Sequence, residues 1–530
     1  MTIRIQDTLT REKRELVPLE PGLVRLYVCG PTVYDDCHIG HLMGPVIFDT
    51  VARWLIARGY RVRFVNNITD IDDKIIQRAQ RTGEDWRAIT ARYTQQYFDH
   101  LRALGVVTIT DHPRCTEYVP QMIRFVEELL AVGRAYAAAD GIYYEVARQP
   151  AYGKLSGRRV EDMLAGARVE ASEGLRHPAD FALWKAAKPG EPVWDSPFGP
   201  GRPGWHLECS VMSSELLGGA FDLHGGGDDL KFPHHENEIA QSEAHGDAYA
   251  TSWMHHGLVQ FGGKKVAKSD PRMKDPAFSR QFQASWLLAT HGAPALRFFL
   301  LRGHYRRPID FEPGNLEAAR TGLVRLLRQL GSLGDEERVT GLSEILARAL
   351  PDALATHRAR FCAAMDDDFN SGEAIAELFA IAHDAHAAQG EARAEALRLL
   401  RDLGRLLGLF QSGDLARLDA TRQGDERTTR VVEGLLAVRA AARARKDFAS
   451  SDAVRDLLAQ TGIVVKDGPA GASFEWSRGD GLPALLDAVL ALRVAARARR
   501  DFALGDALRD VITGAGIQLL DTPTGSRWEL

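Results

Sequence analysis

Four residues of types that bind metal stand in suggestive positions along this chain: Cys29, Cys209, His234 and Glu238. The strongest local clue is Asp222-Leu-His-Gly-Gly-Gly-Asp-Asp-Leu-Lys-Phe-Pro-His-His-Glu-Asn-Glu238. His234 and Glu238 are four apart, so a helix beginning after Pro233 would put imidazole and carboxylate on one face. Cys29 and Cys209 could add thiolates from two strand ends, giving a four-coordinate zinc set. No Cys-x-x-Cys clamp is present, and spacing alone makes this a weak signal.

Two further clusters suit an anionic ligand. His38-Ile-Gly-His41 directly follows a strand and opens a helix, where unpaired backbone N–H groups and the dipole attract phosphate. Two histidines one turn apart could stabilise charge developing on a phosphoryl group, or they could be incidental surface residues. Gly262-Gly-Lys-Lys-Val-Ala-Lys-Ser269 offers Lys265 and Lys268 behind a glycine pair, fit to clamp a pyrophosphate. It lacks the spacing of a P-loop, and taken alone it reads as a solvated lysine loop.

The elements that must position these groups show in the hydrophobic pattern. Val24-Arg-Leu-Tyr-Val28 alternates as a strand. Ile39, Leu42, Val46, Val51, Trp54 and Leu55 recur at helical spacing, Gly59 ends that helix, and Val62-Arg-Phe-Val65 is the next strand. This βαβ unit implies a parallel sheet with ligands at the carboxyl ends of its strands, where Cys29 falls. From about 116 to 204 the pattern is mixed: a helix over Val119–Leu130, a strand at Gly141–Val146, then a Pro/Gly-rich stretch. It reads as an insertion splitting one nucleotide-binding domain. After residue 316 the chain turns helical, and Ser412–Arg430 reads as a charged connector.

The tail repeats itself. Residues 439–475 align without gaps to 493–529, with 19 of 37 positions identical, so a tandem duplication is the simplest account. Each copy reads as two helices and a short hairpin. Arg439, Arg443 and Arg445 open one copy, and Arg493, Arg497 and Arg499 the other. Pairs such as 439/443 and 493/497 share a helix face suited to phosphates or splayed bases, or form a solvated charged face.

With 530 residues the chain exceeds a single core of ~250–300 residues. A net charge of −5 gives no global sign of nucleic-acid binding, so any such surface must be local. Five scattered cysteines form no disulfide framework. No signal-peptide core or apolar run long enough to span a membrane is present, which points to a cytoplasmic protein.

Read together, Tyr27-Val-Cys-Gly-Pro-Thr-Val-Tyr-Asp-Asp-Cys-His-Ile-Gly-His41 and Lys265-Val-Ala-Lys-Ser269 resemble the HIGH and KMSKS signatures of class I aminoacyl-tRNA synthetases. Asn67-Ile-Thr-Asp-Ile-Asp-Asp-Lys-Ile-Ile76, Asp180-Phe-Ala-Leu-Trp-Lys185, Gly204-Trp-His-Leu-Glu-Cys-Ser210 and the 222–238 stretch are similar to the cysteinyl-tRNA synthetase family. The resemblance is dense over residues 20–310, persists at Met365-Asp-Asp-Asp-Phe-Asn370 and returns in the tail.

The resemblance implies an α/β fold: a Rossmann-type parallel-sheet catalytic domain split by an insertion, an α-helical domain, and small α+β modules in tandem. The domains expected are 1–118 (first catalytic half), 119–204 (insertion), 205–315 (second half), 316–410 (helical, tRNA-binding), and tail copies 431–476 and 485–530. It implies zinc on Cys29, Cys209, His234 and Glu238. His38, His41, Lys265 and Lys268 would be catalytic; Gly40, Gly226, Asp229 and Lys268 would hold ATP with Mg²⁺; Thr69, Trp205 and His224 would surround the substrate cysteine. The partners implied are tRNA-Cys, ATP and L-cysteine, with no membrane and a monomeric state. A pyridoxal-phosphate-dependent persulfide activity is also associated with the family, and Lys74, Lys265 and Lys268 match its lysines in type.

A metal has a chemical rationale. A plain pocket separates small isosteres only ~10–200-fold. Zinc strongly prefers a soft thiolate to a hydroxyl, so cysteine would be told from serine at binding. Fewer than 230 residues separate the two signatures, leaving little room for a separate editing domain, and none is read there. Two departures stand out: Ser269 leads into Asp-Pro-Arg-Met rather than Leu-Gly-Asn, and the tail is doubled. Two other readings compete, a cysteine ligase acting on an amino sugar and a non-catalytic tRNA-binding paralogue. The long tail opposes the first, and the complete ligand set with both histidines opposes the second.

Overall fold

The computed structural model describes residues 2–158, 175–265, 270–333, 341–468, 471–476, 481–522 and 525–529. The chain divides into two compact units, residues 1–266 with 293–412, and residues 267–292 with 413–530.

The first unit is built on a four-stranded parallel sheet. Its strands are β1 (Leu23–Val28), β2 (Arg61–Asn66), β3 (Leu223–Gly227) and β4 (Trp253–His256), in the order β4-β3-β1-β2. Apart from Leu23 and Val62 near the strand starts, their apolar, β-branched and aromatic side chains are buried, as a sheet covered on its faces requires. The helix α1 (Ile39–Ala57) crosses from β1 to β2, and Gly59 at φ +91 supplies the left-handed turn after it. From β2 the chain leaves, and it returns on the other side of β1 as β3. The strand order therefore reverses between β1 and β3, and ligands of such sheets sit at the carboxyl edge of that crevice.

The excursion between β2 and β3 contains the helix Val119–Ala131 and an antiparallel sheet of Ala135–Ala138, Gly141–Tyr144, Phe181–Ala186 and Gly201–Pro203. It then delivers α2 (Trp205–Leu217), and α3 (Glu236–His245) follows β3. Inside α1, Asp49 binds Arg53 (2.7 Å) and Arg297 (2.6 Å). Burial opposes the Asp49 charge, yet Arg297 and Arg53 hold its pKa down to about 2. This buried triad fixes α1, and hence its N-terminus, to the helix Ala293–Leu301.

The helical part of the unit includes Pro313–Leu330, Asp352–Asp366, Ser371–Ala387 and Gly390–Leu406. His357 binds Glu377 through Nδ1 and Asp384 through Nε2 (3.0 Å), so both ring nitrogens donate and the ring is cationic. Burial alone would lower its pKa, but the two carboxylates carry it above the ordinary value. The folded-state pKa is raised, so this bridge stabilises fully below the unfolded value of ~6.5 and is lost as pH rises through the folded one. The melting-temperature gap between wild type and His357→Gln should therefore be widest at acid pH and narrow toward alkaline pH. A gap constant from about pH 6 to 9 would contradict this.

In the second unit, α4 (Asp414–Ala444) and α5 (Phe448–Gln460) form one tail copy with the hairpin Ile463–Gly468/Gly471–Trp476. The helices α6 (Gly481–Ala498) and α7 (Phe502–Gly514) form the other with Gln518–Thr522/Gly525–Glu529. The two helices and a hairpin expected of each copy are present. Two expectations need correction. The connector at 412–430 is helical from Asp414, because α4 runs straight into the first copy. Arg439 and Arg493 do not share an outer face with Arg443 and Arg497. They are only 7% and 2% exposed, on the inner stripe with Leu435, Ala442, Val489 and Ala496. The two copies share one core, to which Val432, Leu435 and Val454 of the first and Leu486, Val489, Val511 and Ile512 of the second contribute. A truncation after Asp480 would strip more than half of that core, and point substitutions are the proper probes of each copy.

Candidate active site and metal centre

The carboxyl ends of the four strands gather the residues singled out in the sequence. Cys29 follows β1, Thr69 follows β2, Asp229 and His234 follow β3, and Cys209 and Glu238 lie on α2 and α3. Cys29, Cys209, His234 and Glu238 come together, with one ligand atom of each within 4.8 Å of the others.

The spacings suit a tetrahedral ion. Two sulfurs each ~2.3 Å from zinc stand about 3.8 Å apart at the tetrahedral angle, and mixed sulfur–oxygen edges about 3.5 Å. Here Cys29 Sγ lies 3.7 Å from Cys209 Sγ and 3.6 Å from Glu238 Oε1, and His234 Nε2 lies 3.0 Å from that oxygen. The second Glu238 oxygen is occupied from behind by His224 Nε2 (2.8 Å) and the Tyr249 hydroxyl (2.6 Å), which aims Oε1 at the cluster. Of the cluster, Cys209, His234 and Glu238 are buried and Cys29 is half-buried. Burial pushes the Cys29 thiol well above its ordinary pKa. Burial also opposes a Cys209 thiolate, but the hydrogen bond from Cys29 holds Cys209 at about 6. The donor chemistry, two sulfurs, an imidazole and a carboxylate in a dry pocket, fits zinc.

A second donor set overlaps the first: Cys29, His224, His235 and Glu238. His235 Nε2 is 3.4 Å from Cys29 Sγ but 4.0 Å from Glu238 Oε1, longer than a tetrahedral edge of about 3.3 Å between nitrogen and oxygen ligands. In this set His224 must also give up its bond to the other Glu238 oxygen. His235 instead heads a buried line, Nδ1 to His255 Nε2 (2.8 Å) and His255 Nδ1 to Thr8 Oγ1 (2.9 Å). This line, Tyr249 and His206 beside His234 (2.9 Å) escaped sequence reasoning. The only signal was the density of histidines, at His234-His235 and His255-His256.

His224 sits behind Glu238, fully buried and stacked on Trp253 (4.4 Å), so its place is that of a residue positioning Glu238. Trp205 is 40% exposed, and its ring stacks on His234 (4.4 Å) at the mouth of the cluster. Thr69 is buried, with Oγ1 3.2 Å from Glu208 Oε2. Cys37, Cys115 and Cys362 are all buried.

The histidine pair forms the N-terminus of α1. His38 is its cap, and its Nδ1 accepts from the Gly40 N–H (3.1 Å), while the His38 N–H donates to His41 Nδ1 (3.3 Å). The rings stack 3.8 Å apart. A Cβ on Gly40 would stand 2.9 Å from His38 Cε1, so only glycine lets that ring fold over the helix end. With both Nδ1 atoms accepting, each ring carries its proton on Nε2 and is a neutral N–H donor there. On β3, a Cβ at Gly226 would meet His235 Cε1 at 2.7 Å, which ties the floor of the crevice to the metal cluster. Asp229 is exposed in the turn just beyond β3. Lys265 lies in the short hairpin Val259–Phe261/Lys264–Lys265 that follows β4; its side chain, and Lys268 entirely, fall outside the described residues.

A parallel sheet with a switch-point crevice and a histidine-capped helix is the catalytic core of a class I aminoacyl-tRNA synthetase. Residues 15–321 match the family described as the tRNA synthetases class I (C) catalytic domain. Residues 360–411 match the DALR domain, and 425–474 the cysteinyl-tRNA ligase anticodon binding domain. The fold is shared with methionyl-tRNA synthetase of Mycobacterium tuberculosis in complex with methionyl-adenylate (TM-score 0.50, 15% identity, 73% of this chain and 89% of that one). Cysteine–tRNA ligases of Nitrosomonas eutropha and Alkalilimnicola ehrlichii are 45% and 47% identical, each aligned over 90% of this chain and 100% of its own length. The chain belongs to the cysteine–tRNA ligase family.

Proposed function

We propose that the chain is an ATP-dependent cysteine–tRNA ligase, which forms cysteinyl adenylate and transfers the cysteinyl group to the 3′-terminal ribose of tRNA-Cys. The observation that carries the reading is a tetrahedral thiol-bearing donor set beside a histidine-capped helix at one switch-point crevice. Cys29, Cys209, His234 and Glu238 would hold zinc, which when bound prefers the thiolate sulfur of cysteine to a hydroxyl and lowers the thiol pKa. Trp205 walls the mouth of that pocket, and Thr69 lines it from the end of β2.

ATP, with Mg²⁺, lies along the crevice with its phosphates at the N-terminus of α1. His38 and His41 donate from Nε2 to the α-phosphate as the cysteine carboxylate attacks it and pyrophosphate leaves. Neutral donors add no charge to the ground state but strengthen as the phosphoryl oxygens gain charge. Lys265 and Lys268 would draw off the pyrophosphate. Gly226 and Asp229 at the end of β3 would hold the adenosine. In the second step the terminal ribose hydroxyl attacks the adenylate carbonyl and AMP departs. Lys74 lies 5.7 Å from the Tyr34 ring centroid, which gives no particular support to a pyridoxal phosphate site.

Charging of bulk tRNA with each amino acid tests the assignment. Cysteine alone should be esterified to tRNA. Cysteine-dependent ATP–pyrophosphate exchange without charging would favour an amino-sugar acceptor, and no exchange would favour a non-catalytic paralogue.

A further inference from the structure

The second tail copy is a duplicate whose outer surface, rather than its core, has been kept. Over residues 439–459 and their partners 493–513, burial is the same at every position. Of the 12 pairs exposed in both copies, 9 are identical; of the 7 buried in both, only 2 are. Ser450, Val454, Leu457 and Leu458 face Leu504, Leu508, Val511 and Ile512 in the alignment, swaps that a core absorbs with repacking. A copy retained only as a packing partner or spacer would show the reverse, a steady core and a drifting surface.

What the surface keeps has a definite chemistry. At the turn between α4 and α5 stand exposed Arg443, Arg445 and Lys446, followed by Phe448, which is 62% exposed. At the turn between α6 and α7 stand Arg497, Arg499 and Arg500, followed by Phe502, 56% exposed. Lys446 and Arg500 adopt the same left-handed conformation, φ +63, so the two turns have the same shape. Cations in the last turn of a helix suit its dipole, which accounts for the arginines. It does not account for a large aromatic ring in water, twice, at the same place.

The turns also adjoin. Asp447 caps α5 and Asp501 caps α7, and Ser450 Oγ in the first turn of α5 donates to Asp501 Oδ2 (3.2 Å). Asp501 stands between Arg500 and Phe502, so the turn that carries the second set of cations and its ring touches the first turn of α5, which Phe448 opens. Exposed Asp452, Asp456, Asp506 and Asp510 on the second helices argue against an anionic membrane as its partner, while carboxylates can accept from base amino groups.

We infer that the two tail copies form one composite RNA-binding face, in which Phe502 and Arg497, Arg499 and Arg500 of the second copy contact tRNA alongside Phe448 and its arginines in the first. Rings stack unpaired bases, and the cations follow the phosphates. This rests on the reading of the chain as a tRNA ligase.

The test uses the full-length protein and compares Phe502→Ala with Phe448→Ala, following cysteine charging of tRNA, cysteine-dependent ATP–pyrophosphate exchange and oligomeric state. Phe502→Ala should raise KM for tRNA about tenfold, the loss of one stacked base, with exchange unchanged and with recovery in Phe502→Trp. Arg499→Ala with Arg500→Ala should reduce the salt dependence of tRNA binding by about one phosphate contact. If Phe502→Ala charges tRNA as wild type does while Phe448→Ala does not, the second copy is no RNA contact and the inference falls. A changed oligomeric state with unchanged KM for tRNA would overturn it in favour of a contact between chains. If neither substitution affects charging, the tail does not read tRNA at all, while exchange still reports independently on the ligase reading.

Discussion

Replacing Cys209 by serine is expected to abolish metal retention and to lower cysteine activation by at least about 100-fold. Loss of even an outer-shell partner costs ~10–100-fold in metal affinity or activity, and here a ligand itself is lost. Cys209 is buried beside Cys29 at 3.7 Å, so serine enters without a steric penalty. It puts a neutral hydroxyl, a poor zinc ligand, where the thiolate was. The remaining set, Cys29, His234 and Glu238, keeps its supports from His224 and Tyr249. The variant should therefore fold, and elemental analysis with pyrophosphate exchange would show metal and activation lost together. A metal-free variant that activates cysteine at the wild-type rate would contradict the role assigned to the cluster.

The second large effect belongs to the phosphate end of the crevice. His41→Ala is expected to slow the first turnover of adenylate formation about 10²–10³-fold, as removal of one preorganised donor to a developing oxyanion does elsewhere. Cysteine affinity should hardly change, because His41 is not among the side chains that gather at the metal cluster. Part of the loss will be in the helix itself, since the His38 N–H then lacks its partner at His41 Nδ1. His41→Asn, which can restore an acceptor near that N–H without a donor in the Nε2 position, separates the two. It should recover stability but not rate. Lys268→Ala should show the same pattern, with a slowed first turnover and intact cysteine binding, because its charge matters as pyrophosphate departs. A collapse of cysteine affinity with an unchanged first-turnover rate in either variant would show that the residue serves substrate binding instead.

Local regularity decided what could be read from the sequence. The alternation at Val24–Val28, the helical spacing from Ile39 and the glycine at 59 mark a βαβ unit, and β1, α1 and β2 stand there. The i,i+4 step from His234 to Glu238 brings those two side chains together because the helical turn through His234 and His235 runs on into α3. Long-range packing hid the rest. His235 is adjacent to His234, and no spacing rule says which of the two meets the thiols. That depends on the approach of β1 to α3, which puts Cys29 3.4 Å from His235 Nε2 as well. Tyr249 reaches Glu238 across a turn that carries no motif. In the tail, arginine reads as a surface residue, yet Arg439 and Arg493 are on the inner stripe. The charged run 414–430 gave no apolar stripe by which to recognise a helix that continues into the next one.

Selection of cysteine by its sulfur is tested most directly by exchange of ATP with pyrophosphate in the presence of cysteine or serine. A pocket without a metal could separate these two amino acids only ~10–200-fold. The protein as purified should support exchange with cysteine and exclude serine by well over ~10³-fold, since a coordinated thiolate rather than pocket shape makes the choice. Comparable exchange with serine, or a preference for cysteine no greater than a shaped pocket provides, would contradict it.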